Sequence, residues 1–179
     1  RMTLRYNPEK DVNFRLSYST GFRAPQIYDE DLHITAVGGE IAIIHSAQDL
    51  KPETSQSLSA SIDLYHTFGS YPANMCIEGF YTNLDDVFVL SDIGTDNGGT
   101  ILKERANGSG AKVMGITMDG EISFTSLLQI QVGATFQKSR YDEMENWSSS
   151  EDLNTKKMLR TPDFYGYFTT IVTPVKRVA

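Results

Sequence analysis

Along most of this chain apolar and polar residues alternate one by one, the period of an extended strand whose successive side chains leave by opposite faces. In residues 12–19 the apolar set is Val12, Phe14, Leu16 and Tyr18, against Asn13, Arg15, Ser17 and Ser19. Residues 57–65 set Leu58, Ala60, Ile62 and Leu64 against Ser57, Ser59, Ser61 and Asp63, and residues 127–137 set Leu128, Ile130, Val132, Ala134 and Phe136 against Gln129, Gln131, Gly133, Thr135 and Gln137. Two more strands are interrupted. Met75, Ile77 and Tyr81 alternate until the pattern slips near Asn83, and Met114, Ile116, Met118, Ile122 and Phe124 alternate beyond Gly110; a β-bulge is expected at each interruption. Residues 2–6 open the chain as a strand. Residues 164–172 make the last one, in which Tyr165 and Tyr167 compete with Phe164 and Phe168 for the apolar face. No stretch carries the stripe of an amphipathic helix, so the chain is expected to be all-β.

The connections alternate in length. Short ones fall at residues 7–11, with an Asn-Pro-Glu turn, at 67–72 and at 125–126; long ones fall at 21–50, 91–99 and 140–160. Loops longer than about 12 to 15 residues are uncommon in compact domains and are usually functional. If the long joints share one end of the sheet, the layout is that of an outer-membrane barrel, with short turns on one side and large loops on the other. The predicted strands are about 9 to 14 residues long, enough for a tilted crossing of the hydrocarbon layer, which takes about 9 to 11. Their polar faces hold Ser, Gln, Asn and Thr. A soluble all-β ligand-binding or adhesion module with one solvated face shows the same alternation, and pattern alone does not separate the two.

Composition removes several classes. A formal net charge of -7, with 16 Lys and Arg spread along 179 residues, argues against a nucleic-acid partner, which requires a concentrated basic surface. The one cysteine, Cys76, forms no internal disulfide and on a strand reads as a small hydrophobe. No run reaches the length of a membrane helix. Catalysis finds no support: Asp63 and Asp85 stand on strands without a matched partner, and Gly108-Ser109-Gly110 lacks the strand-turn-helix setting of a phosphate loop. The chain begins at Arg1 within a strand-like stretch and ends at Ala179 without a closing element, and is therefore expected to be a piece of a longer barrel.

Local motifs narrow the choice. Gly21-Phe22-Arg23-Ala24-Pro25 follows the strand ending Tyr18-Ser19-Thr20, and Leu50-Lys51-Pro52-Glu53-Thr54 opens the next strand beyond a long loop. Phe80-Tyr81-Thr82-Asn83-Leu84-Asp85-Asp86-Val87 reads as an ascending strand, residues 107–119 as an Asn-x-Gly-x-Ala-x-x-x-Gly-x-Glu descending strand, and Arg160-Thr161-Pro162 as the start of another. In this order the motifs resemble the barrel of TonB-dependent outer-membrane receptors across nearly the whole chain. The departures are Ser109 in place of one glycine, between Gly108 and Gly110, and an acid, Asp119, two residues after Thr117. Gly21 is expected to permit a sharp turn at positive φ where the chain leaves the rim, and Pro25 to end the ladder.

The resemblance implies an antiparallel up-and-down transmembrane β-barrel segment, about seven strands of a roughly 22-stranded barrel. Residues 1–179 then form part of the barrel domain, without the N-terminal plug domain that fills it. It further implies a bacterial outer-membrane location, outer-membrane lipid around the wall, an inner-membrane energy-coupling complex acting through the plug, and no enzymatic activity. The small-molecule ligand would be a metal chelate or similar nutrient: a siderophore, haem, cobalamin or glycan. No resident cofactor is expected in this segment, with an iron chelate or haem as the transported ligand.

Candidate ligand-binding residues gather in the long loops and at their bases: Arg23, Tyr28, His33, His45, Tyr141 and Trp147. Arg23 either points inward from the rim or pairs with an acid such as Asp29 or Glu53, the commoner fate of a lone charge. His33 and His45 lie where the family's haem receptors carry a ligand histidine, between a Phe-Arg-Ala-Pro box and an Asn-Pro-x-Leu box. Here the second box reads Ala47-Gln48-Asp49-Leu50, without Asn-Pro. His45 follows an apolar run and also suits a loop strand; His66, near a short turn, has no assigned role. Tyr28, Tyr141 and Trp147 either stack on an organic ligand or form an aromatic belt, the belt being preferred. Asp29, Glu30 and Asp31 are weak candidates for a hard cation, as are Asp85-Asp86 and Asp142-Glu143-Met144-Glu145, with solvated loop charge the plainer reading.

Overall fold

The computed structural model describes residues 1–25, 42–125, 127–146, 154–159 and 161–173. The strands are β1 (Met2–Glu9), β2 (Val12–Arg23), β3 (Ala42–Ser46), β4 (Glu53–Phe68), β5 (Tyr71–Asp85), β6 (Phe88–Thr95), β7 (Ile101–Asn107), β8 (Ala111–Thr125), β9 (Leu128–Asn146), β10 (Asn154–Lys157) and β11 (Phe164–Val172). The wall is an eight-stranded antiparallel sheet in the order β1-β2-β4-β5-β8-β9, with β10 and β11 sharing the far edge of β9. Each predicted wall strand is present. The three short connections lie at one end and the three long ones at the other, as the register of the successive pairs requires.

The register settles which residues share a face. One row runs Leu16, Ala60, Gly79, Ile116, Phe136 and Phe164, and its neighbour Phe14, Ile62, Ile77, Met118, Ala134 and Gly166. Between them, on the opposite face, run Arg15, Ser61, Glu78, Thr117, Thr135 and Tyr165. In β11 Phe164 and Phe168 therefore take the apolar face, and Tyr165 and Tyr167 the polar one.

The polar face is cross-linked. Asn13 Nδ2 donates to Asp63 Oδ2 at 2.6 Å, the Arg15 guanidinium reaches the same oxygen at 3.3 Å, and Arg5 donates to Asn13 Oδ1 at 2.7 Å. Ser57 and Thr82, and Thr117 and Thr135, share hydroxyl hydrogen bonds across neighbouring strands. Gln131 donates to Glu121 at 3.1 Å. Tyr167 on β11 donates to Asp119 on β8 at 2.8 Å, passing over β9 at Gly133, where a Cβ would strike both side chains. Only glycine leaves room for that bridge. Cys76 stands in this polar row between Asp63 and Asp119, not among the apolar residues as a buried small hydrophobe would.

Four local expectations are corrected. The slip near Asn83 is not a bulge, because β5 pairs without a register shift to both β4 and β8 through that residue. Beyond Gly110, β8 also keeps register, and its shift falls between Ser123 and Thr125, beside the turn. Gly21 is not a positive-φ turn residue: it lies within β2 opposite Ser55, whose Oγ would stand 2.8 Å from a Cβ there, so the position is kept small by a close approach. The Asn-Pro-Glu stretch belongs to β1, with a register shift between Tyr6 and Glu9 accommodating Pro8 in a strand that has one neighbour.

Burial is inverted relative to a soluble domain. Val132 and Phe136 are 53% and 55% exposed on the apolar face, while Asn13 and Thr135 on the polar face are only 4% and 5% exposed. Along β4 the serines of the polar face are consistently less exposed than the apolar residues between them. The sheet thus shields its polar side and presents its apolar side outward.

Candidate functional site: the loop-bearing rim

The family-like motifs converge where the wall meets the long loops. β5 and β8 continue upward as the hairpin β6–β7, and β3, from the loop between β2 and β4, pairs in parallel with β7 on its other edge. The hairpin is bent off the wall at two points. Asp86 adopts φ 55°, and Gly110 adopts φ 124°, where a Cβ would also lie 2.8 Å from the Leu84 carbonyl oxygen. Gly108 N–H donates to the Val87 carbonyl at 2.7 Å and closes the bend around buried Val87 and Ala111.

Asn107 ties the bend to the neighbouring loop. Its Nδ2 donates to the carbonyls of Asp86 at 2.7 Å and Lys51 at 2.9 Å, and its Oδ1 accepts from Lys51 N–H at 2.7 Å. Glu53, two residues on from Lys51, accepts from Phe88 N–H at 2.6 Å through Oε1, while its Oε2 lies 3.6 Å from Arg23 Nη1. The Arg23 guanidinium in turn sits 5.4 Å from the centre of the Phe88 ring, within cation–π range. The Phe-Arg-Ala-Pro, Lys-Pro-Glu and Asn-x-Gly motifs are therefore one construction that holds the hairpin on the wall.

Of the candidate ligand residues, Arg23 lies on the polar face at the rim and is paired with Glu53. Tyr141 is opposite Ala111 on that same face, so it does not belong to an outer aromatic belt; burial, followed by the charges of Glu145 and Glu53, holds its phenol above the ordinary value and neutral. Glu53 thus joins Arg23 and Tyr141 in one electrostatic neighbourhood. Glu145, on the same strand, is likewise raised, by burial and then by Glu143. His45 is elsewhere: it is exposed on β3 opposite Glu104. Tyr28, His33, Trp147 and the acidic run Asp29, Glu30, Asp31 lie outside the described residues. Among the described residues no three His, Cys, Asp or Glu side chains gather as a cation site. His66 packs edge-on against Phe68, ring centres 4.5 Å apart. Glu53 was anticipated only as a partner for Arg23; Phe88 and Asn107 were not singled out by sequence chemistry, and of these two only Asn107 had a signal, its position in the Asn-x-Gly motif.

At the hairpin tip Asp96 accepts from the N–H groups of Gly98 at 2.8 Å and Thr100 at 2.9 Å. Those backbone donors, Thr100 first, hold its carboxyl below the ordinary value. A depressed pKa supports the folded turn at every pH above the ordinary carboxylate value, and that support fades as pH falls through the lowered one. Amide exchange at Gly98 and Thr100 is accordingly expected to stay slow through mildly acidic pH and to rise only in strong acid; Asp96→Asn should remove the pH step. An unchanged step in the variant would contradict the assignment.

An antiparallel wall with its apolar face outward, short turns at one end and large loops at the other is a protein of the outer-membrane β-barrel class. The profile of the family described as TonB dependent receptor-like, beta-barrel matches residues 1–173. The chain belongs to the TonB-dependent receptor family, whose members are transporters and not enzymes. No curated protein sequence matches it. Similar solved structures include the FrpB iron transporter from Neisseria meningitidis (F3-3 variant), at 19% identity and TM-score 0.52, covering 77% of this chain and 19% of that one. The siderophore receptor PirA from Pseudomonas aeruginosa is similar at 15% identity and TM-score 0.60, covering 76% of this chain and 27% of that one. The chain thus spans about a fifth to a quarter of these neighbours.

Proposed function

We propose that this chain is a run of wall strands and outward loops from a larger closed barrel in a bacterial outer membrane, part of a receptor that imports an iron chelate. The observation that carries the membrane reading is the inverted burial: a soluble module would cover Val132 and Phe136, not Thr135 and Asn13. The apolar face also has the right height. On β5 about 33 Å of strand separates Tyr71 from Tyr81 on that face, or about 25 Å across a membrane after the usual strand tilt, the height of a barrel's apolar band between its aromatic girdles. Tyr71 packs against Phe124 at the short-turn end, ring centres 5.8 Å apart, and Phe136 against Phe164 toward the other, 4.7 Å apart.

Iron as cargo is supported by the two solved neighbours, an iron transporter and a siderophore receptor. In this reading the polar face borders a plug domain elsewhere in the protein, which couples to an inner-membrane energy complex, and the chelate meets the rim around Arg23, Tyr141 and the loops that carry Tyr28, His33, His45 and Trp147. Haem is the less favoured cargo, since His45 is on a loop strand opposite Glu104. Cells lacking the full-length protein should lose uptake of a radiolabelled ferric hydroxamate or catecholate under iron limitation and regain it on complementation. Unaltered uptake of both chelate classes, with a defect for a cobalamin or glycan, would overturn the iron assignment.

A further inference from the structure

The ionisable side chains of the wall are sorted by face. Glu53, Asp63, Glu78, Asp119 and Glu121 all stand on the polar, inward face, placed there by the register that turns Ala60 and Ile77 outward. Glu143 and Glu145 follow Tyr141 at two-residue steps on β9 and leave by that face as well. Against these seven carboxylates, β1, β2, β4, β5, β8 and β9 set three inward cations, Arg5, Arg15 and Arg23. Two of the three are held by carboxylates of the wall itself, Arg15 by Asp63 at 3.3 Å and Arg23 by Glu53 at 3.6 Å. Asp119 and Glu121 accept from neutral donors, the Tyr167 hydroxyl and the Gln131 amide, which leave the negative charge in place. The cations of β8 and β9, Lys112, Lys138 and Arg140, face outward.

We propose that this inward face selects cargo by charge, taking a neutral or cationic ferric chelate of the trihydroxamate class and rejecting the anionic tricatecholate. The inference rests on the iron-chelate reading above and names the chemical class within it. Ferric iron bound by three singly charged hydroxamates is neutral, whereas three doubly charged catecholates make it a trianion. At the rim, Arg23 is held between the Glu53 carboxylate and the Phe88 ring, and the Tyr141 phenol beside it is neutral. Burial and then the charge of Glu143 already hold the Glu145 carboxyl above its ordinary value, so an arriving anion adds to a repulsion that is present without it. Below the rim Ser19, Ser55, Ser57 and Ser59 line the same face with hydroxyls, which suit the amide and carbonyl surface of an uncharged chelate. A cleft lined by one sign of charge enriches ions of the other sign by about tenfold or more and repels its own.

The test uses the full-length protein in detergent and one ferric trihydroxamate core carrying a pendant ammonium, an uncharged acetamide or a succinyl carboxylate, with a ferric tricatecholate alongside. Affinities are read from quenching of intrinsic fluorescence at low ionic strength. The ammonium and acetamide chelates should bind about tenfold more tightly than the succinyl chelate and the tricatecholate. That gap should narrow in about 1 M salt, where the screening length falls to about 3 Å. Glu143→Gln with Glu145→Gln should close most of the gap between the acetamide and succinyl chelates, while the acetamide chelate still binds and so shows that the variant is folded. Glu9→Gln, outward at the short-turn end, should keep the gap. Equal or tighter binding of the anionic chelates, or a gap that survives the double substitution, overturns the charge selection and leaves the iron-chelate reading intact. Failure of every chelate to bind overturns both.

Discussion

Met118→Arg is expected to destabilise the membrane-inserted protein by about 2–4 kcal/mol, the cost of a basic side chain near the midplane of a barrel's lipid face. Met118 lies in the apolar row between Ile77 and Ala134, near the middle of the band from Tyr71 to Tyr81 and well below the row of Lys112 and Arg140. An arginine there has hydrocarbon around it and a long reach to either surface. Ser61→Arg, at similar depth on the opposite face, should cost much less, because that face is already lined by hydroxyl, amide and carboxylate groups. Urea titrations of the full-length protein folding into vesicles measure both. Equal losses would mean that the two faces are not different solvents.

The second large effect is expected at the rim. Asn107→Asp keeps an acceptor for Lys51 N–H but can no longer donate to the carbonyls of Lys51 and Asp86, and places a negative charge beside them. Leaving the part-buried Asp86 carbonyl without a donor, with a carboxylate set beside it, costs about 2 kcal/mol, within the range for such a group, while the exposed Lys51 carbonyl turns to water. The loss should be local: amide exchange in β6 and β7 should accelerate near thirtyfold while β4, β5 and β8 keep their protection. Wild-type exchange in the hairpin would show that Asn107 is not its anchor.

How far these features were legible depended on how uniform each face is. Residues 12–19, 57–65 and 127–137 could be read directly because one parity is apolar throughout. β11 could not, since tyrosine serves either face; Tyr167 belongs to the polar side, where its hydroxyl reaches Asp119 over Gly133. The slip at Asn83 misled for a more instructive reason. Asn83 is opposite Gln56 and Lys112, in the row above the apolar band, so the pattern breaks where the proposed membrane ends and not where the strand bulges. Lys138 ends the apolar parity of β9 in the same way. At the site, a pairing of Arg23 with Glu53 was among those anticipated. The clasp of Glu53 on Phe88 N–H and of Asn107 on Lys51 and Asp86 joins residues tens of positions apart through backbone groups, which leave no trace in composition or periodicity.

The most direct test of the central claim is a nitroxide scan of residues 128–136 in the full-length protein in vesicles. The inverted wall predicts that collisions with oxygen, which concentrates in hydrocarbon, peak at Ile130, Val132, Ala134 and Phe136 and fall at Gln129, Gln131 and Thr135, with Gly133 left unlabelled because no side chain fits there. The opposite phase, or protection of Val132 and Phe136 within a protein core in plain buffer without detergent, would contradict it.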